Sequence, residues 1–78
     1  MRIIFTQHAL TQIKIRAISL DNVIECVKNP EKEVKDELGN IIAQKLYLPY
    51  LLRVIYRSDR EDKIIITAYK TSRLKKYQ

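Results

Sequence analysis

The spacing of apolar residues changes along the chain, from a helical period in the first half to alternation in the second. A short run rich in β-branched and aromatic side chains, Arg2–Phe5, predicts a first strand. Thr6 follows it and is of the residue type that caps helices by accepting a backbone N–H. Over residues 7–16 apolar side chains then recur at helical spacing, which predicts a first short helix.

A second helix is predicted after Ser19, which offers another N-cap. The clearest stripe of the chain falls at positions i, i+3, i+4 and i+7 of this helix: Leu20, Val23, Ile24 and Val27. Asn29-Pro30 ends it, because the residue before a proline is pushed out of the α region. The first half therefore predicts a strand followed by two short helices.

The second half predicts strands separated by turn residues. The predicted strands and turns are, in order, an edge strand or exposed hairpin arm at Glu33–Leu38, a turn at Gly39-Asn40, strands at Ile41–Leu48 and Leu51–Arg57 separated by Pro49-Tyr50, a charged turn at Ser58–Asp62 and a last strand at Lys63–Lys70. Short loops favour antiparallel neighbours. We therefore predict a single α+β domain over residues 1–78, with two short N-terminal helices on one face of a mainly antiparallel sheet of about four to five strands.

Side chains alternate along a strand, so their parity predicts which ones share a face of the sheet. In Leu51–Arg57 one parity is apolar (Leu52, Val54, Tyr56) and the other carries two arginines. In Ile41–Leu48 the apolar set Ile42, Leu46 and Leu48 leaves Lys45 on the opposite side. We therefore predict that five cations line one concave face: Lys45, Arg53, Arg57, Lys70 and Arg73.

The net positive charge lies entirely in the C-terminal half, because the charges of the first half cancel. Residues 1–40 carry six Lys/Arg and six Asp/Glu, whereas residues 41–78 carry nine and three, which gives the net charge of +6. Segregated positive charge is expected of a protein that binds a polyanion or an acidic partner.

The single cysteine, Cys26, excludes an internal disulfide and is most simply a small buried hydrophobe. With neither a signal peptide nor a membrane span in the sequence, we expect a cytoplasmic protein without metal or cofactor.

The last strand ends in a basic tail that carries two tyrosines. Its candidate functional residues are Tyr69, Lys70, Arg73 and Tyr77. Arginine guanidinium groups and lysine ammonium groups bind the phosphate oxygens of a phosphodiester well, and tyrosines among them can stack on unpaired bases.

His8 is the only histidine of the sequence, and the unperturbed pKa of a histidine lies near neutrality. It lies far in sequence from the basic half. A ring packed against a strand is the simpler expectation for His8.

The chain resembles a known family. The pattern that carries the resemblance is His8-Ala9, Ile13, Arg16, Ala17-Ile18-Ser19, Val23 and Asn29-Pro30, followed by a strand ending in Ile65-Ile-Thr-Ala-Tyr69. It resembles the DUF4258 proteins, which look like a branch of the RelE-like (RelE/ParE) toxin superfamily, although the family usually has Gly where this chain has Ala17. The resemblance implies a RelE-like sheet with two N-terminal helices. The superfamily's better-known members are metal-independent endoribonucleases of toxin–antitoxin pairs, which implies a phosphate clamp of Lys45, Arg53 and Arg73, with Tyr77 nearest the ribose or base.

Two functions remain open at this point. The first is a toxin-like ribonuclease that binds RNA, including ribosome-associated mRNA, through Lys45, Arg57, Tyr69 and Lys70. In this reaction the 2′-hydroxyl of the RNA would attack the adjacent phosphate, and Arg53 and Arg73 would stabilise the charge that grows in the transition state. A lysine, Tyr77 or His8 would be the base. The second is a non-catalytic module for nucleic acid or for an acidic, antitoxin-like protein.

Overall fold

Residues 1–77 form two α-helices, five β-strands and a short 3₁₀-helix in a computed structural model. Their bounds are β1 Ile3–Phe5, α1 Gln7–Ile15, α2 Leu20–Lys28, β2 Lys32–Lys35, β3 Ile41–Tyr47, β4 Tyr50–Asp59, β5 Asp62–Thr71 and the C-terminal 3₁₀-helix Leu74–Tyr77. The strands lie in the order β1-β5-β4-β3-β2. β1 runs parallel to β5 and all other neighbours are antiparallel. The predicted α+β architecture is confirmed, with the helices on one face of a five-stranded mixed sheet.

Both helices begin at the predicted caps. The backbone N–H of Ala9 donates to Thr6 Oγ1 at 3.0 Å, and that of Asn22 donates to Ser19 Oγ at 3.2 Å. Each hydroxyl therefore satisfies one of the N–H groups that a helix start leaves unpaired. Asn29 ends α2, as its position before Pro30 predicts.

The two helices are joined by a tight turn at Ala17. The backbone N–H of Ala17 donates to Lys14 O at 3.1 Å, and that of Ile18 donates to Ile13 O at 3.0 Å. This pair of bonds is the Schellman motif, which places its C′ residue in the left-handed region. Ala17 adopts φ = 53°, a conformation that favours glycine because a Cβ is strained there.

The core lies between the helices and one face of the sheet. It is formed by Ala9, Ile13, Val23, Cys26 and Val27 from the helices and by Ala43, Leu52, Val54, Tyr56, Ile65 and Ala68 from the strands. Cys26 is fully buried, as predicted, with Sγ 3.5 Å from the Ala43 carbonyl oxygen. Burial raises the pKa of the Cys26 thiol to about 12.

The predicted positions of Lys45 and Lys70 on the sheet are wrong. Both residues pair in register with Leu52, whose side chain faces the helices, so they lie on the helix-covered face. Lys45 Nζ donates to Asn29 O at 3.1 Å and lies 3.8 Å from Glu25 Oε1. Lys70 Nζ donates to the Ala17 carbonyl at 3.3 Å. Neither lysine shares a face with Arg53.

Candidate functional site

The face of the sheet that is turned away from the helices is the open face. It carries a row of polar side chains across the three central strands, β3, β4 and β5. Arg53 on β4 pairs in register with Gln44 on β3 and with Tyr69 on β5. Register partners on adjacent strands point to the same face. The strand alternation also places Arg57 on this face, where it pairs with Ile64 and is exposed.

The C-terminal segment returns over this row. After β5 the chain turns at Ser72 and Arg73, and the Arg73 N–H donates to Thr71 Oγ1 at 3.0 Å. The 3₁₀-helix that follows is held to the sheet by Gln44, whose Nε2 donates to the Tyr77 carbonyl at 3.2 Å. The segment therefore brings the Tyr77 side chain onto the open face.

Arg53 lies beneath two tyrosine rings. Its Cζ is 4.2 Å from the centroid of the Tyr77 ring and 5.7 Å from that of Tyr69, within cation–π range. Its Nη1 also donates to Tyr69 Oη at 2.6 Å. We refer to Gln44, Arg53, Tyr69 and Tyr77 as the Arg53 cluster.

The Arg53 side chain is buried, and the described residues supply no counter-charge to it. The residue is only 9% exposed, and its Nε is buried without a hydrogen-bond partner. No carboxylate oxygen of residues 1–77 lies within 4.0 Å of the guanidinium. An ionised group buried without pairing is costly, so this arrangement differs from an ordinary structural ion pair.

The two tyrosines of the cluster have opposite pKa shifts. The pKa of Tyr77 is lowered, first by the hydrogen bond from Tyr69 and then by the nearby cations Lys76 and Arg53. The pKa of Tyr69 is raised, mainly by burial and then by the same hydrogen bond. Arg53 donates to the Tyr69 hydroxyl at 2.6 Å. The Tyr69 hydroxyl and the cations beside Tyr77 both favour negative charge on the Tyr77 phenol, which is why its pKa is lowered.

Arg53, Tyr69 and Tyr77 are thus brought together out of the predicted site residues. Arg57 lies farther along the same face, and Arg73 is exposed in the turn that enters the 3₁₀-helix. His8 is in the first turn of α1, which packs on the helix-covered face, so the sheet separates it from Arg53. It is also exposed, and the prediction that its ring packs against a strand is therefore wrong.

Sequence reasoning missed one member of the Arg53 cluster, Gln44, and one neighbour of it, Lys76. Gln44 is 7% exposed and anchors Tyr77. It is a polar residue between Ile42 and Leu46 on the same parity of β3, and this was the signal that this parity faces away from the core. Lys76 lies with Nζ 5.4 Å from the Tyr77 ring centroid. Its position depends on how the segment after β5 folds back, which no local pattern reveals.

Two further features of the described residues concern metal binding and membrane spans. Within residues 1–77 no group of three His, Cys, Asp or Glu side chains is arranged to hold a metal ion. In the same range no helix is both long and apolar enough to cross a membrane.

Comparison with known proteins yields one family. The family model described as "Domain of unknown function (DUF4258)" matches residues 5–70. The match includes Arg53 and Tyr69 and ends before Arg73 and Tyr77. Neither a search of curated proteins nor a search of solved structures gives a match.

Proposed function

The chain belongs to the DUF4258 family, and from the Arg53 cluster we propose that it is an RNA-binding protein that holds a phosphate of single-stranded RNA at Arg53. The observation that carries the proposal is the buried guanidinium, which has an unpaired Nε and no carboxylate of residues 1–77 within 4.0 Å. A phosphate supplies the oxygen acceptors and the negative charge that this group lacks.

The surroundings of Arg53 suit a nucleic-acid strand. Exposed cations lie on the same face or on the segment that covers it: Arg57, Arg73, Lys75 and Lys76. The Tyr77 ring covers the guanidinium, so a phosphate reaches Arg53 when the C-terminal segment moves aside. The ring is then available to stack on an unpaired base, the usual use of an aromatic side chain in single-strand binding.

A second candidate function, RNA cleavage of the RelE-like toxin type, is favoured by the lowered pKa of Tyr77. In this reaction the Tyr77 phenolate takes the proton of a 2′-hydroxyl, and O2′ attacks the adjacent phosphorus. The P–O5′ bond breaks, which leaves a 2′,3′-cyclic phosphate and a 5′-oxygen that takes a proton from water. Arg53 stabilises the negative charge that grows on the phosphate oxygens in the transition state.

The test is fluorescence anisotropy with a short 5′-labelled oligouridine. We expect Arg53→Gln to weaken binding about tenfold or more, since hydrogen bonds to charged groups are the stronger class. Lys45→Gln removes the same charge from the opposite face and is the matched control, with an expected change below about twofold. Between about 50 and about 200 mM salt, Arg53→Gln should also reduce the slope of log K by about 0.7, the value for one single-strand phosphate.

Each outcome decides between the functions left open. Circular dichroism and Arg53→Lys, which keeps the charge, separate loss of binding from loss of fold. No RNA binding by the wild type at low salt would eliminate the proposal and leave an acidic protein as the partner to seek. Binding without a cyclic-phosphate product on a denaturing gel would identify a non-catalytic RNA-binding module.

A further inference from the structure

A cleft of about 270 Å³ lies on the helix-covered side of the molecule, away from the Arg53 cluster. It opens between the turn that joins the two helices and the hairpin that joins β3 to β4. Its lining includes Ile18, Tyr47, Pro49, Tyr50, Leu52 and Lys70. The volume is close to the roughly 300 Å³ at which small-molecule pockets begin.

Seven of the ten described residues that line the cleft are apolar or aromatic, and the other three are Ser19, Asn22 and Lys70. Leu52 is 3% exposed, whereas Leu48 and Tyr50, which also line the cleft, are 78% and 41% exposed. Large apolar side chains that remain in contact with water beside a cavity are a usual feature of ligand sites. The cleft therefore offers a place for an apolar group of about the size of one aromatic ring.

Lys70 supplies the one charged side chain of the lining. One donor of its ammonium group goes to the Ala17 carbonyl at 3.3 Å, and the group lies 4.8 Å from the centroid of the Tyr50 ring. An ammonium has three donors, so two remain for another acceptor. No carboxylate of residues 1–77 lies within 4.0 Å of it.

We propose that this cleft binds a small carboxylic acid with an apolar body, the carboxylate on Lys70 and the body against Ile18, Pro49 and Tyr50. Lys70 is itself exposed, so water partly screens the charge pair, and the contacts of the body with the apolar side chains of the cleft add to it. RNA fits this chemistry poorly, because its backbone offers no apolar surface to the walls. The site is independent of the proposed function, since the sheet separates Lys70 from Arg53.

The test is an NMR titration of the ¹⁵N-labelled protein with phenylacetate, and with phenylacetamide as the uncharged probe of the same shape. We expect saturable shifts at the amides of Ile18, Tyr50 and Lys70, with affinity for phenylacetamide about tenfold lower. Lys70→Gln should lower phenylacetate affinity by a similar factor, and Lys70→Arg should restore it. Lys35→Gln, an exposed charge removal on β2, is the matched control that leaves the titration unchanged.

The proposal is overturned if the shifts do not saturate, if the two probes bind alike, or if Lys70→Gln and Lys35→Gln behave alike. Saturable shifts centred on Arg53 instead would also overturn it, and would assign the anion to the opposite face. Folding of each variant is checked from the dispersion of the same spectra. A negative result here leaves the RNA-binding proposal intact, because the oligouridine experiment measures the other face.

Discussion

The Tyr77 ring lies on the guanidinium of Arg53, with Arg53 Cζ 4.2 Å from the ring centroid. This contact joins the central strand of the sheet to the last turn of the described chain, and the bond from Gln44 to the Tyr77 carbonyl holds it in place. The ring both shields the charge from water and occupies the side from which an anion would approach. Tyr77 is therefore the residue whose replacement tells most about the face.

Replacement of Tyr77 by alanine should weaken oligouridine binding about tenfold. Stacking of one base on an aromatic side chain contributes roughly 1–3 kcal/mol by alanine substitution, and the alanine variant loses it. Tyr77→Phe keeps the ring and should bind as the wild type does, but it removes the phenol. If Tyr77 is the base of a cleavage reaction, Tyr77→Phe loses product formation at unchanged affinity.

These two variants also reveal whether the ring only covers the site. Tighter RNA binding by Tyr77→Ala than by the wild type would show that the ring competes with the phosphate and does not stack on a base. Anisotropy measures the affinity, and a gel of the same samples measures the product.

The sequence predicted the faces of β4 correctly and those of β3 incorrectly. Leu52, Val54 and Tyr56 pack in the core as their alternation indicates. In β3 the larger residues Ile42 and Leu46 suggested the core face, yet the structure buries Ala43 there. The reason is close packing, because Cys26 of α2 lies 3.5 Å from the Ala43 carbonyl and leaves room only for a small side chain.

In the last strand, β5, the alternation of side chains could not predict which residues face the core. Both of its parities are apolar, and the register with β4 shifts between Ile55 and Tyr56. This irregularity lets Ile65 and Ala68 face the core together although they are of opposite parity. Pairing of β1 with β5 and the return of Tyr77 over Arg53 are likewise long-range events, and no local spacing reports them.

Substitution of Ala17 by glycine should stabilise the fold. Ala17 has φ = 53°, where a Cβ costs roughly 1–2 kcal/mol, and part of that gain is offset by the greater freedom of glycine in the unfolded chain. We expect the free energy of unfolding to rise by about 0.5–1 kcal/mol in urea denaturation. Ala9→Gly in the buried part of α1 is the control and should lower it by about 1 kcal/mol or more. Destabilisation by Ala17→Gly would contradict the strain argument.

Arg16 should stabilise the fold through a hydrogen bond to the part of β5 that is not paired with β1. Its Nη1 donates to the Ala68 carbonyl at 2.7 Å, at a position beyond the end of the pairing with β1. Because hydrogen bonds from charged groups contribute about 1.5–3 kcal/mol, Arg16→Ala should lower the free energy of unfolding by about that amount. Lys14→Ala, an exposed charge removal in the same helix, should change it by about 0.5 kcal/mol or less. Equal effects of the two variants would assign the loss to net charge.

Burial of Cys26 should make the protein sensitive to alkali before its tyrosines ionise. The thiol pKa rises from its ordinary value of 9.0 to about 12 in the fold, so above pH 9.0 the unfolded chain loses this proton while the folded chain keeps it. The unfolded state then binds fewer protons, and stability falls as pH rises, by up to about 1.4 kcal/mol per pH unit. We expect this loss in urea denaturation under reducing conditions as the pH is raised from about 8.5 to about 10, the reference pKa values of cysteine and tyrosine. Cys26→Ala has lower stability throughout because of the volume it removes, but its curve should fall less steeply over the same interval. The slope that remains comes from Tyr47, Tyr56 and Tyr69, whose pKa values are also raised in the fold. Parallel curves for the two proteins would show that the thiol does not control the alkaline transition.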